Sequence, residues 1–581
     1  MTQPLVETSY GKLRGREERG ICIFRGIPYA RPPLGALRYR PPERPQPWAG
    51  VREAREFGRA APQDPNALGP ILRLGIGGTS EDCLTLNIWT PATGAGRRPV
   101  LVWVHGGAFI LGAGSQSLYD GATLARRGDV VVVTINYRLG ALGFLRLGDR
   151  PGASPIATGN EGLLDQIAAL EWVRSEIAAF GGDAGNVTLF GESAGAMSCA
   201  TLLGTSRAQG LFHRAILQSG SANYVSSREA AARVAEAYLR ELDLGADEAA
   251  ALLDEPPDRI IGAQRRFFLG LLLEPKRVFS GKFLEPRRIG VTMFLASVML
   301  WRVLRRLIRF ILGSLLDLAR QRPKRRRARF RSLFASLFTQ PRGLELPFQP
   351  VLDGALLQQH PFDAIGDGLA ADVPVLVGTN RDESRLFMLM DPEASFLDEA
   401  MLLARCKARF YNRDDGGGSL ARRALDTYRQ ARAARGESTA PRDLWYAMES
   451  DRSMRHPAMH LAMLQSAQQA QTYTYLFNWP SPLMGGILGS CHALELPFVF
   501  GTLDHPLLRG FAGSHLCGAR ELAARIQDAW LNFARRGNPA HSGLGPWPAY
   551  DATRRATMIL DRECGVEDAP REPERAFWDV C

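Results

Sequence analysis

The stretch Val187-Thr-Leu-Phe-Gly-Glu-Ser-Ala-Gly-Ala-Met-Ser-Cys-Ala200 decides the fold. It opens as a short apolar run of β type and turns at Gly191. Past Ser193 it continues into small residues able to start a helix. A serine on so tight a strand-to-helix turn stands above the edge of a sheet. Gly191 and Gly195 remove the side chains that would clash there. The helix start behind the serine favours negative charge developing on a reacting group. A glycine-rich turn that merely packs would carry the same letters, so support has to come from the rest of the chain.

Outward from this stretch, the same pattern repeats. Val100-Leu-Val-Trp-Val104 is an apolar run ending at His105-Gly-Gly-Ala-Phe109, and Val130-Val-Val-Val-Thr-Ile-Asn136 is another. Between the latter and Val187, residues Gly162 to Phe180 carry Leu163, Ile167, Leu170 and Val173 at helical spacing, which predicts a crossover helix. Val373–Val377 and Thr472–Phe477 are further strand candidates. Runs apolar on both faces are interior strands covered by helices, and their alternation with helices predicts an α/β fold with a mostly parallel central sheet. The loop Gly106-Gly107-Ala108 follows its own strand, as Ser193 does. With Ala194 it offers backbone N–H groups to a tetrahedral oxyanion.

Further motifs accompany these two loops in order. They are Phe24-Arg-Gly-Ile-Pro-Tyr-Ala30, Ser80-Glu-Asp-Cys-Leu-Thr-Leu-Asn87, Asn136-Tyr-Arg-Leu139, Gly159-Asn-Glu-Gly-Leu-Leu-Asp-Gln166 and Gln218-Ser-Gly220. On them the sequence resembles the type-B carboxylesterase family, which includes cholinesterases and bacterial p-nitrobenzyl esterases. The resemblance implies an α/β-hydrolase fold. It implies a carboxylic ester hydrolase acting on uncharged small-molecule esters through an acyl-enzyme, with no metal or organic cofactor. Gly378-Thr-Asn-Arg-Asp-Glu383 matches the family's acid segment and Cys491-His-Ala-Leu-Glu-Leu-Pro-Phe498 its histidine segment. The implied triad is Ser193, Glu383 and His492, in the chain order of α/β-hydrolases. Unaided, the residues do not choose among the histidines that follow Glu383. The family often pairs the cysteine at the position of Cys83 with one in a stretch like Phe57–Gln63. Ala61 stands there instead, so no such disulfide is expected. The loop reads Gly-Gly-Ala where Gly-Gly-Gly also occurs, and the Ala108 methyl is expected to narrow access for bulky alcohol groups.

The 581 residues carry 71 Lys and Arg against 60 Asp and Glu, a net of +11. Between Arg265 and Arg342 lie 20 of those bases and three acids, a net of +17, which leaves −6 for the remaining chain. A basic surface spread over the fold for nucleic acid is therefore not expected. The expected organisation is a single catalytic domain over 1–581, interrupted by a basic amphipathic helical insert at 265–342. Within the insert, Leu304, Leu307, Ile308, Ile311 and Leu315 form one helical stripe, and Arg302, Arg305, Arg306 and Arg309 another. After Lys324-Arg-Arg-Arg327, Phe330, Leu333, Phe334, Leu337 and Phe338 recur at the same spacing. The uncharged run Ile289–Trp301 has 13 residues, short of the ~18 of a spanning helix. Helices lying on an anionic membrane surface, a lid packed on the body and a partner-binding arm all fit this pattern.

The eight cysteines include no C-x-x-C pair. Met1–Tyr10 lacks a basic start followed by an apolar run, so no secretory signal is expected and a cytoplasmic location is. Nothing in the sequence sets an oligomeric state. A non-catalytic, cholinesterase-like binding protein is the rival reading; such relatives usually lose a triad member, and all three stand here.

Overall fold

The computed structural model describes residues 3–64, 76–148, 157–273, 346–389, 391–410 and 418–580. Strands are numbered in chain order: β1 Leu5–Thr8, β2 Gly11–Arg14, β3 Arg16–Glu18, β4 Ile21–Pro28, β5 Val51–Glu53, β6 Thr85–Thr90 and β7 Arg98–Val104. There follow β8 Val131–Ile135, β9 Gly182–Glu192, β10 Arg214–Gln218, β11 Val375–Asn380, β12 Thr472–Phe477, β13 Ala556–Leu560 and β14 Gly565–Asp568. β1, β2 and β5 form a small sheet. The other eleven form one large sheet in the order β14-β13-β12-β11-β10-β9-β7-β8-β6-β4-β3.

The seven strands from β13 through β8 pair in parallel, and antiparallel strands close both edges. Every residue of β8, β11 and β12 is buried, as a parallel sheet covered on both faces requires. The apolar runs read from the sequence are therefore the interior strands. The crossover helix spans Glu161–Glu176 and ends in a 3₁₀ turn, Ile177–Phe180. The Arg138 guanidinium, 3 % exposed, binds Asp165 of this helix through Nε (2.8 Å) and Nη2 (2.7 Å), fixing the helix to the segment after β8. Removing one partner of so buried a pair typically costs about 3–5 kcal/mol. Near the C-terminal end of β7, the Trp103 ring centroid lies 4.8–5.0 Å from those of Phe190, Tyr119 and Phe500. Such ring pairs contribute about 0.5–1.5 kcal/mol each beyond their burial.

The chain divides into two compact units. The body is 1–268, 343–397 and 424–581; the second unit is 269–342 and 398–423. Of the second unit, the described part includes helix Glu399–Arg409, whose first turn is capped by Asp398 Oδ1 accepting the Met401 N–H at 2.7 Å. The basic insert was expected from residue 265. The helix that begins at Pro257 runs through to Leu273, so residues 265–273 continue an ordinary helix. Residues 274–345, which hold the amphipathic stripes, lie outside the described residues.

The two body segments flanking that stretch meet. Phe348 is fully buried, and its ring lies 6.1 Å from Phe267, 6.0 Å from Phe268 and 5.7 Å from Tyr238. The segment just before this helix is held by Arg38 Nη1, which donates to the carbonyls of Leu252 (2.8 Å) and Glu255 (2.7 Å), and the helix itself by Gln264 Oε1, which accepts the Ala141 N–H at 3.0 Å. No helix of the described residues is long and apolar enough to cross a membrane. The seven described cysteines are all free, Cys83 included.

Candidate active site

β9 ends at Glu192, and helix Ala194–Leu203 begins two residues later. Ser193 makes the turn alone, at φ +56° and ψ −126°. A non-glycine residue in such a conformation costs on the order of 1–3 kcal/mol and persists only where the surroundings enforce it. Here the Ser193 N–H donates to the Gln218 carbonyl on β10 at 2.9 Å, and the Met197 N–H returns to the Ser193 carbonyl at 2.8 Å. Gly195 is obligatory for a different reason: a Cβ there would lie 2.0 Å from the Val104 carbonyl oxygen. The turn is thus pressed against the end of β7, where the second glycine-rich loop begins.

That loop is strained as well. Gly107, Ala108 and Phe109 have φ of +118°, +55° and +60°. A Cβ on Gly106 would sit 3.0 Å from Ser193 Cβ, so loop and serine are in direct contact. His105 anchors the loop's start. Burial pulls its pKa down to about 4, so the ring is neutral, with Nδ1 2.8 Å from the Gly106 carbonyl. The ring stacks on Tyr137 at 4.5 Å, and the Tyr137 hydroxyl donates to the His105 carbonyl at 2.8 Å. Among the described residues the N–H groups of Gly107 and Ala108 meet no protein acceptor. Ala194 is the first residue of its helix, so its N–H has no intrahelical partner.

Glu383 follows β11 and is fully buried; His492 is 5 % exposed. The Glu383 Oε2 to His492 Nδ1 distance is 2.6 Å. Glu383 Oε1 accepts the Asn380 N–H at 2.7 Å, so both carboxylate oxygens are engaged and the acid is held in one orientation. His492 Nε2 is not hydrogen-bonded to Ser193 among the described residues. It lies 3.0 Å from Glu192 Oε1, an ion-pair distance, but that oxygen has no aligned donor. Bonds between a base and its nucleophile commonly tighten only when substrate binds. The Phe387 ring covers the imidazole, with centroids 5.3 Å apart.

Sequence motifs do not single out two carboxyls at this site, Glu192 and Glu495. Burial opposes charge on His492, but the nearby carboxylates of Glu192 and Glu383 outweigh it and hold the imidazole pKa well above its ordinary value. Glu495, three residues after His492, is pushed up to about 8 by burial and by the charges of Glu192 and Glu383. It is therefore mostly neutral at pH 7. Asn380 Nδ2 donates to its Oε2 at 2.6 Å and Gln218 Nε2 to its Oε1 at 3.1 Å. The turn spacing of His492 and Glu495 was the available signal for the second, and adjacency to Ser193 for the first.

A family model described as "Carboxylesterase family" matches residues 2–275 and 315–578. The chain belongs to the carboxylesterase family. It is a serine ester hydrolase of the α/β-hydrolase fold. The para-nitrobenzyl esterase of Bacillus subtilis (strain 168) is 36 % identical over 578 residues, covering 99 % of this chain and 98 % of that protein. The phenmedipham hydrolase of Pseudarthrobacter oxydans is 33 % identical, covering 98 % and 97 %. The crystal structure of a Geobacillus stearothermophilus carboxylesterase at pH 6.2 superimposes with a TM-score of 0.76 at 36 % identity, over 99 % of both chains. The family match pauses between 275 and 315, inside the basic segment.

Proposed function

We propose that this carboxylesterase cleaves uncharged carboxylic esters through an acyl-enzyme on Ser193, with His492 as base and Glu383 as its partner. The observation that carries the reading is the buried 2.6 Å Glu383–His492 contact beside a strained serine turn. His492 Nε2 takes the Ser193 proton as Oγ attacks the ester carbonyl. Glu383 holds Nδ1 protonated and stabilises the imidazolium. The oxyanion lies against the loop Gly106-Gly107-Ala108 and Ala194, whose N–H groups are worth about 3 kcal/mol each. The imidazolium then protonates the departing alcohol, and water activated by the same His492 releases the acid. Intact-mass analysis after treatment with an aryl fluorophosphonate tests this. One adduct mapping to Ser193 is expected; an adduct elsewhere, with Ser193 unmodified, rejects the reading.

Because two carboxylates favour the imidazolium, activity needing a neutral base rises with pH through an inflection above 6.5. Glu192→Gln removes one of those charges, so the inflection in kcat/KM should move to lower pH. A pH–rate profile of both enzymes checks this, and an unmoved inflection speaks against Glu192 as a cause. Ala108→Gly is expected to raise hydrolysis of tert-butyl acetate relative to n-butyl acetate by about 10-fold, since one methyl at a crowded site is worth roughly that much. An unchanged ratio discards the steric role given to Ala108.

A second reading concerns where the enzyme works. The stripes between 286 and 341 combine apolar and arginine faces, and the body segments flanking 274–345 meet at Phe267 and Phe348. We infer that this segment docks the esterase on anionic membranes, each basic residue near the surface contributing about 1 kcal/mol. Flotation with phosphatidylserine vesicles, comparing wild type with a variant whose residues 274–345 are replaced by a short linker, is the test. Equal flotation removes the membrane role.

A further inference from the structure

The strained oxyanion loop needs something outside itself to hold it. Its internal bonds are local: the N–H groups of Ile110 and Leu111 both return to the Gly107 carbonyl, at 3.0 and 3.1 Å. Gly112, at φ +110°, closes the turn. It is packed directly beneath the loop's start, since a Cβ there would lie 2.4 Å from His105 Nδ1 and 2.5 Å from the Gly106 carbonyl oxygen. Any shift of Gly112 is therefore passed to the residues that present the oxyanion N–H groups.

Gly112 is held by one side chain. Gln63 Oε1 accepts the Gly112 N–H at 2.9 Å, and Gln63 Nε2 donates to the Gly112 carbonyl at 2.9 Å. This paired amide contact satisfies both backbone groups of Gly112 and fixes it in two directions at once. The second Nε2 hydrogen bond goes to the Ala61 carbonyl at 3.0 Å, and Gln63 is 7 % exposed, so its own orientation is set. Its segment is anchored too: Asn136 Nδ2 donates to the Arg59 carbonyl at 3.1 Å, and the Ser80 N–H to the Ala60 carbonyl at 2.9 Å. Gln63 lies 49 residues before Gly112 and belongs to neither glycine-rich motif.

We propose that Gln63 is a positioning residue for the oxyanion loop: it clamps Gly112 so that the N–H groups of Gly107 and Ala108 meet the tetrahedral intermediate. This rests on the acyl-enzyme reading above. Gln63 touches no reacting atom, and its effect belongs to the transition state more than to ester binding. A misplacement of about 1 Å at such donors costs on the order of 100-fold.

The test uses full-length Gln63→Ala and Gln63→Glu, with Ser193→Ala beside them, on p-nitrophenyl acetate. Gln63→Glu keeps an acceptor for the Gly112 N–H and loses the donor to its carbonyl. Gln63→Ala should lower kcat by about 10- to 100-fold with KM changed less than about threefold, and Gln63→Glu should fall between it and wild type. The discriminating readout is inhibition by an aryl trifluoromethyl ketone, which adds to Ser193 and leaves an oxyanion in the loop. Its Ki should weaken by the same factor as kcat, while thermal unfolding stays cooperative. A folded Gln63→Ala with kcat within twofold of wild type overturns the proposal, as does lost activity with undiminished ketone affinity. If Gln63→Ala folds poorly, Gln63→Glu carries the same comparison. Activity that merely tracks the folded fraction in either variant, the folded remainder binding ketone normally, also overturns it. Ser193→Ala separates the two levels: a silent Ser193→Ala beside a fully active Gln63→Ala rejects the clamp and leaves the acyl-enzyme standing, whereas an active Ser193→Ala rejects both.

Discussion

Ser193→Ala is expected to lower kcat/KM for p-nitrophenyl acetate by about 10⁴- to 10⁶-fold, with the fold intact. The substitution removes one oxygen and leaves the turn's determinants untouched. The Ser193 N–H to Gln218 carbonyl bond and the Met197 N–H to Ser193 carbonyl bond are both made by backbone. Alanine at φ +56° carries the same backbone strain as serine, so the melting temperature should stay within a few degrees. Residual turnover would come from the oxyanion donors and substrate binding alone. Initial rates read beside a thermal melt decide the matter. A folded variant retaining more than about 1 % of wild-type activity means that another nucleophile does the work.

The second large effect is Glu383→Gln, for which a loss of about 10³- to 10⁴-fold is expected. Both carboxylate oxygens of Glu383 face donors: the Asn380 N–H at 2.7 Å and His492 Nδ1 at 2.6 Å. A glutamine amide has one acceptor oxygen and one NH₂ group, and cannot serve both. With NH₂ toward Asn380, two donors confront each other in a fully buried site. With NH₂ toward the ring, Nδ1 must accept, the proton moves to Nε2, and the imidazole can no longer take a proton from Ser193. The loss should appear in kcat more than in KM. A decrease of less than about tenfold would deny Glu383 its role as the histidine's partner.

How much of this was legible depends on the range over which each feature is encoded. Val100–Val104 of β7 and Val131–Val133 of β8 could be read directly, because a strand buried on both faces is mostly apolar in consecutive residues. The Ser193 turn was legible because its steric demand falls on Gly191 and Gly195, two residues away on each side. Glu383 and His492 are different. Their meeting depends on β11 and the loop after β12, 109 residues apart in the chain, and only resemblance to a family singled them out. Glu192, Glu495 and Gln63 escaped for a related reason. A buried polar side chain is defined by its partner, and nothing around Gln63 in the chain announces Gly112. Charge sets the start of the basic segment at Arg265, within helix Pro257–Leu273.

The aromatic knot of Tyr238, Phe267, Phe268 and Phe348 has a consequence for how this enzyme can change. The chain leaves the body and returns to it through rings about 6 Å apart. Such a doorway makes a port. The contact among these rings is made by residues outside 274–345, so replacing that stretch with a short linker is expected to leave the two ends joined.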